Sequence, residues 1–276
     1  MSGISINTNT DAMTALEYLD KTQGSLAATE NAVSTGMTVA TAKDNGAIFA
    51  IAQNMRGDVA GYQSVTQSLE NASSTVDVAL SAGQSISDLL IQMKQQALAA
   101  SDTSMNTASR QAMNDNFTAL VQQISTVVQN AQFNGANLID GSTKQIMALA
   151  SSDGQHRITV LAENMSLSGS IVTIASNASI STQAGASAMV TQIENSLTNV
   201  DSALATLGAG SAKFSIQATF VQNLSDTLTT GIGNLVDANM ASESAQLTAL
   251  QTKQQLGVQA LSIANQAPQI ALSLFH

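Results

Sequence analysis

The sequence predicts a mainly α fold: a long antiparallel coiled-coil hairpin that carries a small β-hairpin and whose N- and C-terminal helices pair. Three observations carry this. One apolar stripe holds an alternating three- and four-residue spacing for about five heptads. Proline occurs once in 276 residues, at Pro268, and tryptophan never. Helical apolar periodicity returns at both ends of the chain.

The stripe runs Tyr62, Val65, Leu69, Ala72, Val76, Ala79, Gly83, Ile86, Leu90, Met93 and Ala97. Its a/d spacing is that of a coiled-coil seam, and compact domains seldom hold a helix this long. The large members Tyr62, Val65, Leu69, Val76, Ile86, Leu90 and Met93 are the expected core of this coiled coil. Ser101-Asp102-Thr103 breaks the pattern and offers N-cap residues for a second helix, which carries Phe117, Leu120, Ile124, Val127 and Ala131. That helix should stop near Phe133-Asn134-Gly135, where Asn-Gly signals a turn.

From about 138 to 182 the chain changes character. Ile158–Leu161 and Ser170–Ile174 are rich in β-branched residues and bounded by Asp153-Gly154 and Ser168-Gly169, which predicts a hairpin or three-stranded ribbon. Helical period resumes at Met189, Ile193, Leu197, Val200, Leu204 and Leu207 and continues past Gly231 and Gly233.

At the N-terminal end, Leu16, Leu19, Leu26 and Val33 mark a helix over about residues 8 to 33. At the other end, Leu247, Leu250, Leu261, Ile270 and Leu274 mark a helix from Ala238 to Leu274. Each alone would expose an apolar stripe and be marginal in water, so these residues are the expected self-assembly surface. Ser34 to Asn45 reads as a non-helical connector. The predicted division is residues 1–45 with 236–276 as an inner domain, and 46–235 as an outer helical domain.

Composition narrows function. There is no cysteine, hence no disulfide, thiolate metal site or Cys nucleophile. The net charge of −10 opposes a nucleic-acid partner. No stretch reaches the roughly 18 consecutive apolar residues of a membrane span, and residues 1–10 lack a secretory signal pattern. His156 and His276 are the only histidines, and neither stands near an acid and a nucleophile in any catalytic spacing. No phosphate loop, dinucleotide fingerprint, HExxH or calcium loop is present. No catalytic residue, cofactor site or metal site is expected. Five Asn-x-Ser/Thr matches, at Asn71, Asn116, Asn164, Asn177 and Asn223, are what chance gives in a chain so rich in these residues; the Ser/Thr residues of 142 to 187 are the better candidates for modification.

The ends also carry specific text. Ile6-Asn7-Thr8-Asn9 is followed by Ser34-Thr35-Gly36, Ala42-Lys43-Asp44-Asn45-Gly46-Ala47 and Gln132-Phe133-Asn134-Gly135. Toward the other end stand Asp237-Ala238-Asn239-Met240-Ala241-Ser242-Glu243, Gln255-Leu256-Gly257, Ala264-Asn265-Gln266-Ala267-Pro268-Gln269 and Leu272-Ser273-Leu274. In this order and at these distances the text resembles bacterial flagellin, over about residues 1–140 and 186–276. Lys43–Ile48 and Ala97–Asp102 are most similar to short alphaproteobacterial flagellins such as those of the Caulobacter group. The hook–filament junction protein shares similar ends but diverges at the C-terminal text.

The resemblance implies a structural subunit of a hollow flagellar filament, exported unfolded by the flagellar type III apparatus and polymerised at the distal tip for swimming motility. It implies a homopolymer located outside the cell. Other flagellin paralogues, the junction protein, the filament cap and an export chaperone are its implied partners. Two departures stand out. Ala32 occupies a place where many relatives carry Arg, so inter-subunit ion pairing there is absent or replaced. Lys94-Gln95-Gln96 replaces the Arg-Glu-Leu that animal innate receptors read in many flagellins, which implies an altered receptor surface.

Overall fold

The computed structural model describes residues 8–273, with side chains described through residue 266. In chain order the elements are α1 (Thr10–Thr35), α2 (Gly46–Ala100), α3 (Thr107–Asn130), β1 (Gln132–Phe133), β2 (Ala136–Asn137), β3 (Gln145–Leu149), β4 (Arg157–Leu161), α4 (Gln183–Val236) and α5 (Met240–Ser273). The chain divides into two compact units, residues 1–57 with 228–276 and residues 58–227. The divisions fall inside α2 and α4 rather than at their ends. The reason lies in the first turns of α2, where Ile48, Phe49 and Ala52 pack on Val39, Val236, Ile232 and Leu235 instead of on the larger core.

The unit of residues 58–227 is three helices around one apolar core. Val65, Leu69, Val76, Ile86, Leu90 and Met93 of the α2 stripe are buried, and Tyr62 packs half-buried at its edge. Fully burying side chains of this size stabilises by about 1.5–3 kcal/mol each. α2 and α4 run antiparallel, because Lys94 meets Glu194, Gly83 meets Leu204 and Asp77 meets Ser211. Gly83 has a packing reason: a Cβ there would stand 2.7 Å from Leu204 Cδ2 and 3.3 Å from Met165 Cε. On α3 the most deeply buried positions are Phe117, Val121, Ile124 and Val128, so the inward face is turned slightly from the expected stripe, leaving Leu120 and Val127 half-buried.

α3 starts later than Ser101-Asp102-Thr103 suggested. Its N-cap is Asn106, whose side chain accepts from the Ser109 N–H at 2.8 Å. The intervening turn is held by Arg110, which donates from Nε to the Ala100 carbonyl and from its terminal nitrogen to the carbonyls of Asp102 and Met105. One guanidinium thus satisfies the last carbonyl of α2 and two carbonyls of the turn that follows it. After α3, Asn134 (φ 48°) and Gly135 (φ 81°) form a two-residue turn with both φ positive, which joins β1 to β2. Asn137, buried, donates to the Val128 carbonyl at 2.7 Å and accepts from the Ile139 N–H at 2.9 Å, closing the C-terminal end of α3.

The second hairpin pairs β3 with β4, Gln145 opposite Leu161 and Leu149 opposite Arg157. This corrects the expectation of a strand at Ser170–Ile174. That segment is not a strand, although Val172 and Ile174 are fully buried. Its backbone is satisfied in part by α4 side chains: the Thr173 N–H donates to Ser196 Oγ at 3.1 Å, and Asn199 Nδ2 donates to the carbonyls of Ser170 and Ile171. The carbonyls of Val172 and Ile174 accept from the backbone N–H groups of Gly169 and Ser168. Apolar burial therefore explains its composition, and turn and side-chain partners replace a ladder.

The other unit holds the paired end helices and the two connectors, described next. No helix among the described residues is long and apolar enough to cross a membrane.

Candidate functional site

α1 and α5 pack against each other antiparallel: Asn9 reaches Ala264, and Leu19 lies against Gly257. Asn9 does two jobs. Its Oδ1 accepts from the Ala12 N–H at 2.9 Å, capping α1, while its Nδ2 donates to the Ala264 carbonyl at 2.7 Å. Gly257 permits a close approach, since a Cβ there would stand 3.2 Å from Leu19 Cδ1. Leu19 is buried, as are Thr29 and Ala32, while Leu26 and Val33 are half-buried and Leu16 is 48% exposed. On α5, Leu247, Leu250 and Leu261 are half-buried. The Ile270 side chain and Leu274 lie outside the described residues. Met13, Tyr18, Leu256, Val258 and Ile263 are exposed apolar or aromatic side chains on the same pair. Two helices alone cannot cover their apolar surface, and this pair leaves much of it in water.

The connectors form a clasp that periodicity could not show. Residues 36–39 and 236–238 meet in an antiparallel bridge between Met37 and Asp237. The Thr38 N–H donates to the Val236 carbonyl at 2.7 Å, and the Ala238 N–H donates to the Gly36 carbonyl at 2.8 Å. Gly36 ends α1 at φ 71°, a left-handed conformation that favours glycine, and its N–H donates to the Ala32 carbonyl. Beneath the bridge, Val39, Ala52 and Val236 are buried. Asp44 fastens the connector before α2: its carboxylate accepts from the Thr41 N–H and hydroxyl and from the Ala40 N–H. Those bonds, led by the Thr41 N–H, hold its carboxyl below the usual carboxylate range. Asn45 caps α2 through the N–H groups of Ala47 and Ile48, and Asn239 caps α5 through those of Ala241 and Ser242.

The structure therefore brings Leu19 against α5 and places Leu16, Leu26, Val33, Leu247, Leu250 and Leu261 on the same helix pair. Lys94, half-buried, pairs with Glu194 at 2.8 Å; Gln95 is exposed and Gln96 half-buried. Sequence reasoning missed the roles of Asn9, Gly257 and the clasp. The first two stood in the quoted end text, and nothing in local spacing links Gly36 to residue 238. Among the described residues no group of three or more His, Asp and Glu side chains could hold a metal. His156 sits in the β3–β4 turn, where its N–H donates to Ser151 Oγ and its carbonyl accepts from the Ala150 N–H.

Comparison with known proteins agrees with this architecture. Residues 6–144 match the bacterial flagellin N-terminal helical region, and residues 190–275 match the bacterial flagellin C-terminal helical region. Flagellin FljK of Caulobacter vibrioides is 48% identical over 272 residues, covering 99% of this chain and 98% of its own, and flagellin FljM of the same organism is 47% identical over the same length. A flagellin of Brucella melitensis is 35% identical over 285 residues, covering 99% of each chain. In solved structures, the fold is similar to a putative flagellar hook-associated protein from Vibrio parahaemolyticus (TM-score 0.55, 15% identity, 70% of this chain and 100% of that one) and to Bacillus cereus flagellin (TM-score 0.50, 19% identity, 56% and 88%). With both terminal regions matched and near full-length relatives at this identity, the chain belongs to the bacterial flagellin family, as a structural subunit of the flagellar filament and not an enzyme.

Proposed function

We propose that the α1/α5 pair is the assembly module of this filament subunit, and that its unmet apolar surface is covered by the same pair of neighbouring copies. The observation that carries this reading is the exposure of Leu16, Tyr18, Leu256 and Ile263 on a pair whose largest buried apolar side chain, among the described residues, is Leu19. Burial of that surface on neighbours would supply the driving force that two helices lack alone. Leu26, Val33, Leu247, Leu250 and Leu261 hold the pair together inside the chain, and Ile270 and Leu274 extend its apolar pattern.

In this reading the chain travels unfolded through the flagellar type III apparatus, folds its outer helices locally and quickly, and orders its ends at the distal tip beneath a cap. The finished filament lies outside the cell. Paralogous flagellins, a junction protein and an export chaperone are the partners consistent with family membership. We further read Lys94-Gln95-Gln96 as a surface that animal innate receptors recognise poorly, because a lysine already paired with Glu194 and two neutral amides offer no Arg-Glu-Leu pattern. A receptor reporter responding at ordinary flagellin doses would sink that reading.

The assembly test is direct. Purified chain, seeded with short filaments or salt, should give long tubes by negative-stain electron microscopy. The same chain lacking residues 237–276 should give none while retaining strong helical circular dichroism. Tubes from the shortened chain would overturn the assembly role of the end pair.

A further inference from the structure

Strand β3 has an unused edge. In the β3–β4 hairpin the bonded pairs are marked at both ends: the Ala162 N–H donates to the Lys144 carbonyl, and the Ala150 N–H to the His156 carbonyl. Ile146 stands opposite Val160 and Ala148 opposite Ile158, so the alternation of an antiparallel ladder turns the N–H and carbonyl groups of Gln145, Met147 and Leu149 away from β4. The Leu149 N–H follows that direction and donates to Ser68 Oγ on α2 at 3.1 Å. The backbone groups of Met147 meet no partner among the described residues. Met147 lines an open trough of ≈ 380 Å³ between β3, the β1–β2 turn and α2. On the α2 side stand Gln67 and Asn71, exposed, four residues apart on one helix face, with side-chain amides that form no hydrogen bond among the described residues. Phe133 and Ile146, both half-buried, supply its apolar lining.

We propose that this trough is a peptide-binding site, in which an uncharged, extended segment of a different protein adds to the free edge of β3 as a third strand. The backbone selects the ligand class. An open strand edge offers an N–H and a carbonyl side by side, and another extended backbone is what matches that pair. The facing amides of Gln67 and Asn71 can each donate and accept, so they suit the second edge of the same segment. The volume fits about two residues of extended chain, given a rise of roughly 3.4 Å, a strand spacing of about 4.8 Å and a depth of about 10 Å. The trough lining holds no charged residue, so a charged side chain would be desolvated there without a counter-ion, which selects a neutral segment. The described extended segments of this chain are already engaged: β1 with β2, β3 with β4, residues 36–39 with 236–238, and 170–174 with α4 side chains and their own turn. A second copy therefore has no free strand among them to lend. The site lies wholly within residues 58–227 and does not depend on assembly.

The probe is a blocked neutral peptide, acetyl-Thr-Val-Thr-Val-Thr-amide, carrying a fluorophore and titrated into the full-length monomeric chain. Anisotropy should rise and saturate, and amide exchange at Met147 should slow severalfold on binding while Ile146 and Ala148, already paired with β4, stay unchanged. The same peptide N-methylated at every amide should not bind, because it has lost the donors a strand needs. Met147→Pro should weaken binding roughly tenfold with circular dichroism unchanged, since the lost N–H lies outside the β3–β4 ladder and an edge strand tolerates proline at such a position. Gln67→Ala with Asn71→Ala, on the helix face and outside the hairpin, should also weaken it. An anisotropy that does not saturate, equal binding of the N-methylated peptide, or protection of amides elsewhere with Met147 unchanged would each overturn the site. Self-association of the unliganded monomer that slows exchange at Met147 would overturn the choice of a foreign segment.

Discussion

In residues 58–227, Ile86, Leu90, Met93, Phe117, Ile124 and Phe214 are at most 1% exposed, and α2, α3 and α4 share them. In the α1/α5 pair, built from the same residue types, Leu19 at 7% is the largest apolar side chain buried among the described residues, while Leu256 is 58% and Ile263 70% exposed. A third helix makes the difference. Three helices enclose a core on all sides, whereas two enclose a seam and leave both flanks wet. The unit of residues 58–227 therefore carries its stability within the chain, and on the assembly reading proposed above the terminal pair draws stability from neighbours.

The hardest way to break this contrast is to empty the outer core. Phe117→Ala should cost about 3–5 kcal/mol, the range for deleting a buried aromatic ring, and should lower the main unfolding transition seen by circular dichroism. Leu19→Ala in the terminal pair should barely move that transition but should suppress filament growth. If both substitutions lowered the monomer transition equally, the two regions would not differ in the way described.

A smaller effect probes how the outer core seals itself. Ser196 is fully buried, its hydroxyl donating to the Gln192 carbonyl and accepting the Thr173 N–H. Ser196→Ala strands that N–H beside the buried Val172 and Ile174, and should cost about 1–3 kcal/mol. A chemical-denaturation midpoint unchanged from the parent would show that another partner takes the amide.

That segment also shows what the sequence could and could not reveal. The α2 stripe was readable because a 3-and-4 period over so many residues fits only one helix face, and the packing partner does not matter. Ser170–Ile174 misled because β-branched residues favour burial in general, and here burial came without a ladder. Its expected place in the hairpin belongs to Gln145-Ile-Met-Ala-Leu149, whose Gln, Met, Ala and Leu lean toward helix; pairing with Arg157–Leu161 overrides that propensity. The delayed start of α3 depended on Arg110 reaching back to Ala100, a contact no local cap signal encodes. In the candidate site, the apolar end residues were legible as helical stripes, but the clasp was not. It is made by backbone groups of residues 36–39 and 236–238, and backbone groups leave no mark in side-chain pattern.

The clasp itself can be tested by pH. Hydrogen bonds from Thr41 and Ala40 depress the Asp44 pKa in the folded chain. A depressed folded pKa contributes stability that is present above the unfolded value, about 3.9, and lost as pH falls through the folded value. Asp44→Asn should therefore speed amide exchange at Ala40 and Thr41 near neutral pH. The difference from the parent chain should close as pH falls through the depressed folded value, where the parent carboxylate itself becomes protonated. The outer unit, which does not rest on Asp44, should show no change at either pH; exchange rising equally at Val65 and Leu69 would mean that the clasp supports both regions.

The smallest effect compares the two ion pairs among the described residues, one in each region. Lys21–Glu17 is a helix i,i+4 pair at 2.7 Å with side chains 68% and 67% exposed, and Lys94–Glu194 joins α2 to α4 at 2.8 Å with side chains 39% and 52% exposed. Exposed pairs contribute about 0.2–1 kcal/mol and helix i,i+4 pairs about 0.3–0.5. A double-mutant cycle on Lys94 and Glu194 should therefore give under about 1 kcal/mol, falling as salt is raised. The Lys21–Glu17 cycle should be smaller still when read from global unfolding, because the end pair contributes little to that transition. A Lys21–Glu17 coupling as large as that of Lys94–Glu194 would mean that α1 unfolds together with the outer core, and that the terminal helices are less dependent on neighbours than their exposed leucines imply.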